Sequence, residues 1–179
     1  MEETADQDLM AGIANGDEAA FRLLSRRHAA RALRLAQRIV QNHALAEEIV
    51  QEALLRVWIN APHWRPAAPF QTWFFRIVVN LCLNQKRRPP FARLEAAGDP
   101  PDPGPDVVRQ IEAKQLEQSV AAAIDALPER QRTAIQLTYH EGLSNAETAT
   151  VLGTSVSAVE TLLARAKRTL RAALAGHAS

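Results

Sequence analysis

Ser144-Asn-Ala-Glu-Thr-Ala149-Thr-Val-Leu-Gly153-Thr-Ser155-Val-Ser-Ala-Val159-Glu-Thr-Leu-Leu-Ala-Arg165 reads as two short helices joined by a tight turn. Ala149 falls where the first helix presses on the second, so a large side chain there forces them apart. Gly153 falls at the turn, where a positive φ is often required and glycine adopts it without strain. Val159 is the apolar residue of the second helix that faces back into the core. The ends agree with this register. Ser144 and Glu147 form a Ser-x-x-Glu capping box that starts the first helix, and Ser155 is placed to cap the second. A second helix presented in this way fits the major groove of DNA, so the stretch is read as a helix-turn-helix.

Working outward, the chain divides at a run unsuited to helix or packed strand. Pro89, Pro90, Pro100, Pro101, Pro103 and Pro105, with Gly98, Gly104 and several aspartates, place a linker over residues 89–106. Fully extended, those eighteen residues span roughly 60 Å, which is nearly two turns of B-DNA at about 34–36 Å each. The expected fold class is all-α. Two small helical domains, residues 1–88 and 107–179, are joined by a flexible Pro-rich linker, and the second carries the helix-turn-helix. Composition supports helices: Ala, Leu, Arg and Glu dominate, and aromatics make up 5%.

In the N-terminal lobe a first helix runs from about Asp6 to Ala14 and stops at Asn15-Gly16. Asp17 caps a long second helix with an apolar stripe at Phe21, Leu24, Ala32, Leu35 and Ile39, ended by Asn42. A third runs from about Leu45 to Ile59, with Ile49, Ala53, Val57 and part of Trp58 inward. The loop Asn60-Ala-Pro-His-Trp-Arg-Pro-Ala-Ala-Pro69 is irregular but stiffened by three prolines. A fourth helix, about Phe70 to Arg88, is apolar at Trp73, Phe74, Ile77, Val78 and Leu81 and ends in Lys86-Arg87-Arg88. In the C-terminal lobe one helix runs from near Val107 to Ala126, and Pro128 opens another at a position that needs no amide hydrogen.

Charge is unevenly spread. Residues 1–94 hold thirteen Lys and Arg against nine Asp and Glu, a net of +4; residues 95–129 hold two against eight, −6; residues 130–179 hold six against three, +3. Non-specific DNA affinity comes mainly from phosphate neutralisation, so a chain of net charge +1 is expected to bind DNA weakly without a larger partner. Cys82 is the single cysteine, so no intrachain disulfide forms and a reducing compartment fits. The acidic start, Met1 to Asp8, is unlike a signal peptide, and no apolar run is long enough to span a bilayer. A cytoplasmic protein without membrane insertion is expected. His28, His43, His63, His140 and His177 show no metal-ligand spacing. No phosphate-binding glycine loop or nucleophile motif appears, so neither a metal, a cofactor nor catalysis is expected.

The order of parts resembles the bacterial sigma factors of the extracytoplasmic-function type, within the sigma-70 family, over nearly the whole chain. Asn15-Gly16-Asp17-Glu18-Ala19-Ala20-Phe21 is similar to that family's opening. Ala46-Glu-Glu-Ile-Val-Gln51-Glu52-Ala-Leu-Leu-Arg-Val-Trp58 resembles its third helix. Phe70-Gln-Thr-Trp73-Phe-Phe-Arg76-Ile-Val-Val-Asn80-Leu, followed by Lys86-Arg87-Arg88, resembles its fourth. Leu127-Pro128-Glu-Arg-Gln131-Arg132 and the helix-turn-helix resemble its second domain. Two departures stand out. Asn84 occupies a place usually held by aspartate. Glu160 and Leu162 stand where many members carry Lys or Arg, which leaves phosphate contact to Arg165, Lys167, Arg168 and Arg171.

The resemblance implies a non-enzymatic promoter-specificity subunit. Glu47, Glu48, Gln51, Glu52 and Leu55 would dock on the clamp coiled coil of core RNA polymerase, whose flap is a further implied contact. His63, Trp64, Arg76 and Asn80 would read a −10 element on a separated strand, where base–aromatic stacking contributes about 1–3 kcal/mol per base and offsets the cost of extruding a base. Lys86, Arg87 and Arg88 would meet phosphates. Ser155, Ser157, Ala158, Glu160, Thr161, Arg165, Lys167 and Arg168 would serve the duplex −35 element; Glu160 suits a cytosine amino group, and Ala158 or Thr161 a thymine methyl. An anti-sigma protein is an implied partner besides polymerase and promoter DNA. On the residues alone two rivals stay open: an operator-binding regulator outside the polymerase, and a helical adaptor with no DNA role.

Overall fold

In the computed structural model, residues 5–86 and 109–175 are described. Their regular elements are helices: α1 (Asp6–Ala14), α2 (Glu18–Val40), α3 (His43–Asn60), a 3₁₀ turn (Ala61–His63), α4 (Phe70–Lys86), α5 (Arg109–Asp125), α6 (Glu129–Ile135), a π-helical turn (Gln136–His140), α7 (Asn145–Leu152) and α8 (Val156–Ala175). The linker at 89–106, together with Arg87 and Arg88, lies outside the described residues.

Local chemistry sets the boundaries. Asp17 caps α2, accepting from the amides of Ala19 (2.8 Å) and Ala20 (3.1 Å). α1 turns back closely onto α2: a Cβ on Gly12 would stand 3.1 Å from that of Ala20. One expectation is corrected between α2 and α3. Asn42 does not end α2; its side chain accepts from the Leu45 amide at 2.9 Å and starts α3. α2 ends one residue earlier, at Gln41, whose φ of 55° is left-handed. Pro128 likewise sits at the N-cap of α6 rather than inside it.

The N-terminal core is built on α4, which packs against α2 and α3 and also, from the other lobe, α7. Phe74 and Val78 are buried as the spacing predicts, but Phe75, Val79 and Cys82 are buried too. An apolar stripe for one neighbour covers about a third of a helix; three neighbours close off much more. Phe70 stacks on Phe74 with ring centroids 5.6 Å apart, and Phe21 meets Trp58 edge-on at 5.3 Å. Asp6 ties α1 to α2 through Arg27 (2.5 Å) and the buried His28 (2.8 Å).

The C-terminal core is Leu127, Ala134, Ile135, Leu137, Leu143, Ala149, Val151, Leu152, Val159, Leu163 and Ala166. Arg132 is buried with them and donates to the Asp125 carbonyl at 2.6 Å, which closes the end of α5 over α6.

Candidate nucleic-acid and partner interfaces

The helix-turn-helix has the geometry expected of it. The Ser144 hydroxyl accepts from the Glu147 amide at 3.2 Å, and the Glu147 carboxylate accepts from the Ser144 amide at 2.8 Å. The bond from the Ser144 amide, and second the Ser144 hydroxyl, which donates to the same carboxylate at 2.8 Å, hold the Glu147 carboxyl below its ordinary value. Ala149 is buried at the α7–α8 contact, Gly153 has φ 61° and ψ 44°, and Val159 is fully buried. Ser155 caps α8 through the Ala158 amide at 3.1 Å.

Val159, Leu163 and Ala166 fix one side of α8 in the core. Ser157, Thr161, Arg165 and Arg168 are exposed on the opposite side, and Ala158 is half-buried beside them. The Thr161 hydroxyl donates to the Ser157 carbonyl at 3.0 Å, so its methyl is what remains for an apolar contact. Glu160 and Lys167, exposed and seven residues apart, share a flank. The Lys167 ammonium lies 5.3 Å from the Tyr139 ring centroid, a cation–π contact that draws it toward the protein.

On α4 the outward stripe is Arg76, Asn80 and then Asn84, each one turn further along and each exposed. Asn84 extends the polar pair chosen from sequence; its spacing to Asn80 was the available signal. Trp73 and Ile77 are half-buried at the stripe's edges. His63 is exposed at the end of the 3₁₀ turn. Trp64 is half-buried, its ring edge-on to Phe70 at 6.4 Å and to Trp73 at 6.2 Å, and its Nε1 is buried without a partner. The structure thus packs Trp64 onto Phe70 and Trp73, in the turn of α4 just before Arg76. Lys86 ends α4, but its side chain, like Arg87 and Arg88, lies outside the described residues.

On α3, Glu47, Glu48, Gln51, Glu52 and Leu55 are all exposed. Glu52 accepts from Arg56 at 2.9 Å, and Glu47 lies 3.3 Å from His43; both pairs are solvated and weak. Leu55 is 53% exposed and Ile59, one turn on, 60%. Ile59 was missed from sequence because it was placed inside the helix as an apolar terminus. Together they form an apolar end to an acidic face. No group of three His, Cys, Asp or Glu side chains gathers among the described residues as a metal site requires.

Two family patterns match this chain: Sigma-70 region 2 over residues 24–89, and Sigma-70, region 4 over residues 117–170. An RNA polymerase sigma-H factor of Pseudomonas aeruginosa is 31% identical, with 94% of this chain aligned to 93% of that one. The ECF RNA polymerase sigma factor SigE of Mycolicibacterium smegmatis is 35% identical over 93% of this chain and 67% of its own length. The chain belongs to the ECF RNA polymerase sigma factors. Its function is therefore that of an alternative sigma factor, directing polymerase to promoters without being an enzyme. The fold agrees. A structure of CnrH in complex with the cytosolic domain of CnrY superposes with a TM-score of 0.72 at 29% identity, covering 97% of this chain and 99% of that one. The sigma factor RpoE of Bartonella quintana, solved with the anti-sigma factor NepR, shares the fold at TM-score 0.67 and 21% identity, over 86% and 96% of the two chains. No helix among the described residues is long and apolar enough to cross a membrane.

Proposed function

We propose that this sigma factor divides its task along the elements described. Residues 1–88 bind core polymerase and handle the −10 element, residues 89–106 link, and residues 107–179 read the −35 element. The observation that carries this is the exposed polar stripe Arg76–Asn80–Asn84, beginning beside the aromatic loop. A surface with hydrogen-bonding groups in line and stacking groups at one end is what an unpaired strand needs. His63 is the free stacking ring; Trp64, packed on Phe70 and Trp73, offers an edge of that cluster. Lys86, Arg87 and Arg88, which follow in the sequence, meet phosphates. On α8, Ser155, Ser157, Ala158, Glu160 and Thr161 serve base edges and the nearby backbone, with Arg165 and Arg168 on phosphate and Lys167 at the flank.

The acidic face Glu47, Glu48, Gln51 and Glu52, with Leu55 and Ile59 at its apolar end, docks on the polymerase clamp, and the C-terminal lobe meets the flap. An anti-sigma protein covers these surfaces when transcription is not called for, as the solved complexes of similar chains support. The site of action is the bacterial cytoplasm, where polymerase and promoters are found. The test is complex formation with core polymerase by gel filtration. The wild-type chain should co-elute, and the Glu48→Lys/Glu52→Lys variant, still folded by circular dichroism, should not. Co-elution of that variant at wild-type affinity refutes the docking face. Permanganate footprinting of His63→Ala should then show less promoter opening with recruitment kept.

A further inference from the structure

We propose that the cleft between α2 and α5, floored by the π-helical turn, is a binding site for an uncharged amphiphile, an alkyl chain carrying an amide or hydroxyl head. The cleft has a volume of about 920 Å³, within the range of about 300–1,000 Å³ typical of small-molecule sites. Its two walls differ in chemistry. α5 packs on α8 and lines the cleft with Leu116, Val120 and Ile124, each one turn from the next. Leu116 is 60% exposed, so this apolar row stands partly open to water. Across from it, α2 presents Arg34, Gln37, Arg38 and Gln41. An alkyl chain fits the first wall and a polar head the second.

The floor supplies an independent observation. Gln136–His140 is a π-helical turn in which the Glu141 amide donates to the Gln136 carbonyl at 3.0 Å. Such turns are rare and recur at functional sites. Gln136 lines the cleft, is 4% exposed, and holds its Oε1 buried without a hydrogen-bond partner. A buried acceptor left without a donor is costly, and a ligand N–H or O–H brought in beside it supplies one. His140, at the other end of the turn, lines the cleft too. Its imidazole is held below its ordinary value by burial first and by Arg38 second, against the opposing pull of Glu141. At physiological pH it is therefore neutral, with one nitrogen to donate and one to accept.

The charges select against an ionic head. In the lining, Arg34 and Arg38 stand against Glu117 and Asp125, so the two signs balance. Arg38 is further engaged by Glu141 at 3.3 Å. Arg34, Glu117 and Asp125 are exposed, where water and salt screen them. Neither sign is left in excess to draw an ion inward. Gln37, Gln41 and Gln136 instead offer side-chain amides that donate and accept alike, which is what an amide or hydroxyl head requires. The site is independent of the DNA and polymerase roles given above.

The test is calorimetric titration of the full chain, without polymerase or DNA, with octanamide, octanoate and octylammonium, which share one alkyl chain and differ in the charge of the head. Octanamide should saturate a single site and bind several-fold more tightly than either ion. Its binding should also raise the melting temperature with ligand concentration, as mass action requires. Ala121→Trp fills the cleft from an exposed position on α5 and should abolish octanamide binding with helicity unchanged. Gln136→Leu removes the unpartnered acceptor, so it should weaken octanamide binding while raising the stability of the free chain, a pairing that a purely structural glutamine does not give. Ala121→Trp carries the test if Gln136→Leu folds poorly. Equal binding of the three amphiphiles, or preference for an ion, overturns the neutral head. Octanamide binding that survives Ala121→Trp, or that never saturates, overturns the site. A concentration-dependent dimer that Ala121→Trp abolishes and octanamide leaves intact gives the cleft to a second copy of the chain and overturns the ligand.

Discussion

α4 and α8 are both assigned to DNA, yet they sit in the protein in opposite ways. α4 is held between α2, α3 and α7, with Phe74, Phe75, Val78, Val79 and Cys82 all buried, and it leaves one narrow polar stripe to solvent. α8 commits Val159, Leu163 and Ala166 to the core, with Leu162 and Leu170 half-buried against it, and leaves its opposite side to solvent. A helix that reads an opened strand must hold its groups still against a flexible ligand, and burial on several sides does that. A helix that enters the groove of a rigid duplex needs clearance, and packing on one side leaves it. The lesson is that substitutions on α4 should trade against folding, while those on the outer face of α8 should trade against sequence preference.

The largest expected effect breaks the comparison at its base. Phe74→Ala removes a fully buried ring and should cost about 3–5 kcal/mol in denaturant unfolding. A loss below about 1 kcal/mol, the common value for point mutants, means α4 is not the fixed member of the pair. Next, Ala149→Leu should push α7 away from α8, destabilising the lobe by about 1–3 kcal/mol. Duplex −35 binding should fall with it while single-strand −10 binding is kept; loss of both together would show that the lobes do not read DNA separately.

Finer effects come from the open face of α8. Glu160→Ala should relax preference at one −35 position by about 1–3 kcal/mol in a selection over randomised sequences. Arg165→Ala should instead weaken all promoters alike and reduce the salt slope by about one. Identical preferences from both variants would reduce Glu160 to a charge that suits a helix N-terminus. The smallest effect is one of pH. The Glu147 carboxyl is lowered in the folded state from its ordinary 4.5, so folding favours its ionised form. Its contribution is complete above that ordinary value and lost as pH falls through the lower folded one. Melting of Glu147→Gln should therefore depend less on pH below about 4.5 than that of the wild type; parallel curves would remove the capping box from the stability of α7.

How much of this was readable from the sequence depended on distance along the chain. Ser144, Glu147, Ala149, Gly153, Ser155 and Val159 act on neighbours within a few residues, and all six were placed by spacing. The exposed acidic face of α3 followed from periodicity in the same way. Asn42 was assigned to the wrong helix because one cap residue between two helices serves either by pattern, and only the bond to Leu45 decides. Phe75, Val79 and Cys82 were left out of the core because the helix that completes their burial comes from beyond the linker. The packing of Trp64 on Phe70 and Trp73 was not readable, because it depends on how a proline-rich loop folds back. The ion pair between Arg31 of α2 and Glu141, before α7, had no signal at all, since a contact between distant segments leaves no period behind.

Ala149 and Gly153 stand four residues apart and are both nearly fixed, for unrelated reasons. At 149 volume is the limit, so the tolerated residues are those as small as alanine. At 153 there is no crowding: a Cβ would meet nothing within 4 Å. What excludes other residues is the torsion alone, φ 61°, which asparagine and aspartate bear better than any β-branched side chain. A library randomised at both positions should thus return two disjoint alphabets, serine joining alanine at the first and asparagine joining glycine at the second.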